Sequence, residues 1–310
     1  MPQATREIKR RLKSIKSTGK ITKAMELVSA VKMRKAVDHM QKSRNYAAAA
    51  WQIVSDLIIN VSPAFNILLT RRKIQKIGVV LIASNRGLCG SFNAQIISAA
   101  LQAVATENKQ AQNKIEFEFI ILGKKARDIA LKYQQNIVFE FTKADLTLKA
   151  EEIFSLSKLI IDDYIANKYD KVVLVYTDYK SSLKQTPRVI QLLPIPHHKD
   201  PELGEEETLA INIGEKKEEE AEFESKYLFE PSAKNVLDKI LPRLIETEIY
   251  QAVLESEASE HSARMLAMQN ATEAAHDLNS DLTLAYNQAR QNSITQEIAE
   301  ISGAKAAMQS

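Results

Sequence analysis

The stretch Asn85-Arg86-Gly87-Leu88-Cys89-Gly90 is where residue types and spacing first suggest chemistry. Two glycines, an arginine and a thiol follow an apolar run and precede a helical pattern. A phosphate-binding loop occupies that position in α/β proteins. The spacing fits neither G-x-x-x-x-G-K-S/T nor G-x-G-x-x-G, no lysine follows to meet a phosphate, and no acid follows at the ribose position. The competing reading is a tight strand-to-helix turn in which glycine supplies a positive φ. Cys89, the single cysteine, has Arg86 and a helix start beside it, the surroundings of an activated thiol. With no histidine nearby in sequence, a small buried core side chain is the better expectation.

Other constellations are weaker. One cysteine makes no internal disulfide and no zinc spacing. His197-His198 lies in a proline-flanked stretch without further ligands nearby, and reads as a solvated pair. Glu205-Glu206-Glu207 and Glu218-Glu219-Glu220 read as solvated loop rather than a metal cage. No Ser/His/Asp order or paired-carboxylate motif stands out. The expectation is no catalytic residue, no cofactor and no metal.

Charge is more informative. Residues 1–44 carry thirteen Lys/Arg and three acids, residues 200–230 twelve acids and three Lys, and residues 232–310 six basic and eleven acidic side chains. Lys9, Arg10, Arg11, Lys13 and Lys16 form one basic cluster; Lys32, Arg34 and Lys35 form another. Such a pattern is the generic mark of nucleic-acid binding, and a basic coiled-coil nucleic-acid-binding or structural adaptor protein is the alternative function. The absence of interleaved aromatics and of a recognisable DNA-binding module argues against it. An acidic protein partner accounts for the same charges, and a solvated face is the plainest account.

These side chains need elements to hold them. Neither glycine nor proline occurs from Lys20 to Ser62, nor from Arg243 to Ser302. Such gaps predict very long helices, Thr5 to Asn60 at about 80 Å and the closing one at about 90 Å. Leu278, Leu282, Ala285 and Ala289 step by four and three, and Ile294, Ile298 and Ile301 resume after a phase shift. Ile8, Leu12 and Ile15, then Ile21, Met25 and Val28, do the same near the start. Heptads with stutters predict a coiled coil, with antiparallel pairing favoured. The closing helix is expected to start near Pro231-Ser232, and Pro242 to kink or restart it.

The middle reads as α/β. Strands are expected at 79–83, 117–122, 138–141, 172–176 and 189–193, with helices from Ser91 to about Glu107, Lys124 to about Tyr133 and Glu151 to Ala166. The alternation predicts a mostly parallel, Rossmann-like sheet covered on both faces. The fold class is therefore α/β, with an antiparallel coiled coil of long terminal helices around a central α/β domain. The expected division is 1–62 first helix, 74–196 α/β domain, 197–228 acidic insertion and 229–310 closing helix. No apolar stretch approaches the roughly 20 residues of a membrane span, and the basic start lacks a secretory signal's apolar core.

Ile21-Thr22-Lys23-Ala24-Met25-Glu26-Leu27-Val28 with Lys32-Met33-Arg34-Lys35 resembles the N-terminal motif of ATP synthase gamma subunits. Ser84 to Gly90 resembles that family's first strand-turn, with Asn85 where Asp is usual. Ser259-Glu260-His261-Ser262-Ala263-Arg264-Met265, Ala267-Met268 and Asn270-Ala271-Thr272 are also similar. So are Ala289-Arg290-Gln291, Ile294-Thr295-Gln296-Glu297-Ile298 and Gly303-Ala304 at the end. The matches run in order along the whole chain. The acidic segment after Pro196 is longer than in many bacterial members. Two cysteines of the chloroplast regulatory insertion are missing, so the resemblance is to bacterial members.

The resemblance implies a rotor: paired helices inside a ring of alpha and beta subunits, and an α/β domain at the foot near the epsilon subunit and the c-ring. It implies one copy per complex, catalysis on beta rather than here, no nucleic acid, and a peripheral place on the cytoplasmic side of a bacterial cell membrane. Carried over residue by residue, Lys20, Lys23, Met25, Lys32, Arg34 and Lys35 would meet beta from the first helix. Arg264, Arg290, Gln291, Thr295 and Glu297 would meet it from the last. Tyr227 and Glu230 would face the c-ring at the foot, and Arg86, Gly87, Cys89 and Gly90 mark the strand-turn motif. Ala267, Ala271, Ala274 and Ala275 would give the shaft a smooth surface.

Overall fold

The structure, a computed structural model, describes residues 3–59, 66–110, 114–141, 150–196 and 233–309. The acidic segment, Tyr227 and Glu230 lie outside the described residues. The elements are α1 (Gln3–Ile59), β1 (Lys76–Ile82), α2 (Phe92–Gln110), β2 (Glu116–Leu122), α3 (Lys124–Lys132), β3 (Ile137–Phe141), α4 (Ala150–Ile165), β4 (Lys171–Tyr179), β5 (Gln185–Leu193) and α5 (Ala233–Gln309). Each strand and helix expected from the sequence is present. Pro242 lies inside α5, which does not restart there.

The chain divides into two compact units, Met1–Val31 with Arg264–Ser310, and Lys32–Ala263. The second unit contains the sheet, in the order β3-β2-β1-β4-β5. Parallel pairings join β3 to β2, β2 to β1 and β1 to β4; β5 returns antiparallel on β4. The sequence reading did not specify that last direction. Edge position explains why Pro187 is tolerated inside β5, where only one neighbour needs its backbone.

Side-chain alternation along the strands builds two cores. Ile77, Val79, Leu81, Phe119, Ile121, Val173 and Val175 pack with Ile96, Ile97 and Ala100 of α2 and Ala126 and Ala130 of α3. Val80, Ile82, Ile120, Leu122, Val172, Leu174 and Tyr176 pack with α4, with Val54 of α1, and with Leu237, Leu241, Leu244, Ile245 and Ile249 of α5. Strands buried on both faces read as continuous apolar runs, as β1 does. Gly123, at φ +104°, turns the chain from β2 into α3, where a Cβ would run into the Ala83 carbonyl.

The first unit is a helix pair. Thr272 Oγ1 donates to Thr22 Oγ1 at 2.8 Å, and a Cβ on Gly19 would touch the Ala275 Cβ at 3.4 Å. Residue numbers rise on one helix as they fall on the other, so the pair is antiparallel as expected. Thr22, Ser29, Met268, Ala275 and Ser293 are buried, and Ile8, Leu12, Ile15, Met25 and Leu282 are half-buried at the same helical period. Ala275 therefore lies in the seam, not on the outer surface.

Candidate functional site: the strand turn and the surface of the helix pair

The turn after β1 is closed upon itself. Asn93, in the first turn of α2, accepts from the Ser84 N–H at 3.2 Å and donates to Ser84 Oγ at 2.8 Å and Cys89 Sγ at 3.2 Å. Ser84 Oγ donates in turn to the Arg86 carbonyl at 2.7 Å. Cys89 is buried, as expected, and Gly90 has the positive φ of +58°. Gly87 does not; Leu88, at φ +63° and exposed, takes the other left-handed position. The polar groups of the turn satisfy one another, which suits a structural turn rather than a phosphate cradle.

The helix surfaces are different. On α1, Lys20 is exposed, Met25 half-buried, and Lys23 pairs with Glu26 at 2.7 Å. Further along α1, Lys32 is half-buried while Arg34 and Lys35 are exposed. On α5, Arg290, Gln291, Thr295 and Glu297 are all exposed, and Glu297 accepts from Ser293 Oγ at 3.4 Å. Arg264 differs: it is buried, only 8% exposed, and engaged within the chain. The register puts Lys20 and Met25 opposite roughly residues 269–274, well away from Arg290 and Gln291. The residues form two levels along the pair, not one cluster.

Ile8, Leu12, Ile15, Met25, Leu282, Ala285 and Ala289 are half-buried, in keeping with the expected seam, but sequence reasoning missed the orientation of other large apolar side chains. Ile21, Leu27, Val28 and Val31 on α1 are exposed, as are Leu278, Leu284, Ile294, Ile298 and Ile301 on α5, with Ile301 at 69%. Ile21, Val28, Leu278 and the last three isoleucines were expected in the seam. Extending the register puts Gln3 opposite about Gln291, so Ile294, Ile298 and Ile301 run beyond the described start of α1. Near Thr22 the small residues bring the backbones close, and the bulky neighbours are left outside.

A family model described as "ATP synthase" matches residues 4–308. The ATP synthase gamma chain of Roseiflexus sp. (strain RS-1) is 37% identical over 308 residues, covering 98% of each chain. That of Pelotomaculum thermopropionicum is 38% identical over 304 residues, covering 98% of this chain and 99% of its own. The chain belongs to the ATP synthase gamma-chain family. A chain from the Euglena gracilis mitochondrial ATP synthase structure (OSCP/F1/c-ring, rotational state 3) shares the gamma fold at TM-score 0.65 and 20% identity, covering 98% of this chain and 94% of its own. Within this family the exposed residues above sit on the paired terminal helices, and among the described residues no helix is long and apolar enough to cross a membrane.

Proposed function

We propose that this chain is the turning shaft of an F-type ATP synthase, coupling a proton-driven c-ring to ATP synthesis and hydrolysis on beta subunits while performing no catalysis itself. The carrying observation is the antiparallel helix pair that leaves Ile21, Leu27, Val28, Val31, Leu278 and Leu284 exposed outside its seam. Those side chains need a surrounding partner, and a ring of alpha and beta subunits supplies an enclosing surface. Residues 1–62 and 229–310 form the shaft in this reading, 74–196 the flanking domain and 197–228 an insertion. One copy serves each complex, with epsilon and the c-ring at the foot near Tyr227 and Glu230. The complex holds it peripherally on the cytoplasmic side of a bacterial membrane.

Lys20, Lys23, Lys32, Arg34 and Lys35 guide the shaft past acidic beta segments. Exposed pairs contribute only about 0–1 kcal/mol each, so they steer without locking one angle. Met25→Lys tests this. A new cation at a half-buried position among these lysines favours some rotor angles over others, and fewer protons are pumped per ATP hydrolysed by the assembled complex. An unchanged ratio would remove Met25 from the contact.

A further inference from the structure

The topology leaves part of the sheet thinly covered. A parallel crossover supplies a helix to cover the strands it joins, whereas β4 and β5 are joined by a hairpin turn closed by Ser181 N–H on the Lys184 carbonyl, which supplies none. On one face α4 and α5 pack over these strands. On the other, α2 leans across from β1, and a cavity of about 510 Å³ remains beside it. Its floor is apolar: Ile77 and Val79 of β1, Phe117 of β2, Val173 of β4 and Val189 of β5. Along α2 it is bounded by Ala99, Ala100 and Ala103, whose short side chains leave the space unfilled. Pro194 adds a further wall, held by Gln191 Nε2, which donates to its carbonyl at 2.7 Å. Small-ligand sites have volumes of about 300–1,000 Å³ and are mostly apolar with a few convergent polar groups.

The polar groups here centre on Lys171. It alternates onto the same face of β4 as Val173 and is only 7% exposed. Its Nζ donates to Glu107 of α2 at 2.6 Å, and both residues line the cavity. An ammonium carries three hydrogens, and no second acceptor meets this one among the described residues. A buried ammonium with unused donors at the wall of an apolar cavity calls for an acceptor, best an anionic one.

The other charges agree in sign. Asp170 accepts from the Gln75 and Lys76 N–H groups at 2.8 and 3.0 Å, so its carboxylate is already engaged. Arg72 donates to the Tyr164 carbonyl at 3.0 Å and contributes its charge from the rim. Among the charged lining residues, Arg71, Arg72 and Lys171 stand against Glu107 and Asp170, an excess of one positive charge.

We propose that this cavity binds an amphiphilic monocarboxylate, its apolar body on the sheet between α2 and Pro194 and its carboxylate on the Lys171 ammonium. A body of about ten carbons suits the volume. The single negative charge balances the excess positive one, and the apolar body removes Phe117, Val173 and Val189 from water. A phosphate dianion overbalances the charge and leaves the floor uncovered. An uncharged body of the same length covers the floor but leaves the ammonium unmatched. The cavity lies wholly within the unit Lys32–Ala263, so its ligand is independent of whatever the helix pair meets.

The test titrates the full-length chain with decanoate, below the concentration at which it forms micelles, and with decanol. Hydrogen exchange across 99–107 and 171–173 reads the cavity itself, apart from any binding elsewhere on the chain. In wild type decanoate raises protection there saturably, and decanol does so about tenfold more weakly. Ala103→Trp fills the space from α2 and weakens decanoate by at least about tenfold. Lys171→Met with Glu107→Gln removes the ion pair as a unit and brings decanoate down to the level of decanol. Lys109→Met, on α2 but outside the cavity lining, leaves both ligands within about twofold of wild type. The comparison of decanoate with decanol is made on wild type, so it decides the matter even if a variant fails to fold. No saturable protection by decanoate, equal binding of decanoate and decanol, or unchanged binding in Ala103→Trp overturns the proposal. So does protection of 99–107 that is already high without ligand and falls in Ala103→Trp, since another part of the chain then fills the cavity.

Discussion

Gly19 gives the sharpest test of how the terminal helices are held. It sits in the interior of α1, where glycine costs about 1 kcal/mol relative to alanine. An added Cβ would meet Ala275 Cβ at 3.4 Å, an ordinary contact rather than a clash. Gly19→Ala should therefore gain helix propensity and lose little to packing, a net stabilisation of about 0.5–1 kcal/mol. Gly19→Leu enjoys the same propensity gain but pushes three more carbons at a seam one turn from the Thr22–Thr272 hydrogen bond. Overpacking of this kind costs about 1–3 kcal/mol, and losing the threonine bond about 1 more.

The net expectation for Gly19→Leu is a loss of about 1–3 kcal/mol against a gain for Gly19→Ala. Hydrogen exchange of peptides covering 15–25 and 268–279 reads the seam directly, and thermal unfolding of the full chain reports the sum. Opposite signs support a close-packed seam at Gly19. If Gly19→Ala lowers protection as far as Gly19→Leu does, the glycine is there for a reason other than the seam. If Gly19→Leu changes nothing, the helices are not close at this level.

The remaining predictions concern the other parts of the molecule. Replacing Arg290 and Gln291 with Ala, singly and together, should lower ATPase turnover of the assembled complex without impairing assembly, because both side chains are exposed on α5; full activity in all three variants would count against the contact. Gly123→Ala should destabilise the α/β unit by about 2–3 kcal/mol, read by chemical denaturation, since the substitution strains a positive φ and meets the Ala83 carbonyl. Burial pushes the Glu248 carboxyl up to about 8, against a hydrogen bond from Trp51. Its contribution to stability is therefore lost as pH rises from the ordinary carboxyl range through about 8. Glu248→Gln should flatten the fall in unfolding free energy between about pH 5 and about pH 9 by a few kcal/mol, and an unaltered slope would show the carboxyl is not proton-linked.

Much of the fold could be read from residues acting locally. The apolar run at β1 and the glycine- and proline-free spans report buried strand and long helix through properties each residue carries by itself. The direction of β5 did not follow from such properties, since an apolar strand tolerates either neighbour orientation. The restart expected at Pro242 failed for the same kind of reason. Its missing N–H and ring bulk disfavour a helix interior, but here Leu237, Leu241, Leu244 and Ile245 are buried around it. Packing of an apolar face sustains the helix through the local cost. For the candidate contacts, exposure of Arg290, Gln291, Thr295 and Glu297 was consistent with polarity, whereas Arg264 gave no sign in its own chemistry that it would be buried.

The apolar heptads show where pattern and function part. A sequence period says that large side chains share a helix face; it does not say whether that face meets the partner helix or something outside the chain. At Gly19 and Ala275 the backbones approach through small residues, which binds the two helices to each other over a narrow strip. Ile21, Leu27, Val28 and Val31 are then surplus to the pair and point away from it. Burying them in the seam would force the helices apart and weaken the threonine contact. Leaving them outside costs hydration until a partner covers them. A shaft benefits from both arrangements, because stiffness comes from the close seam and contact with a sleeve from apolar groups that lack strong directional preference. Non-directional contacts change little as one surface slides over another, whereas paired charges favour particular angles. In the proposed contact the outward isoleucines therefore suit a turning surface better than the lysines do, and the lysines would serve to guide it.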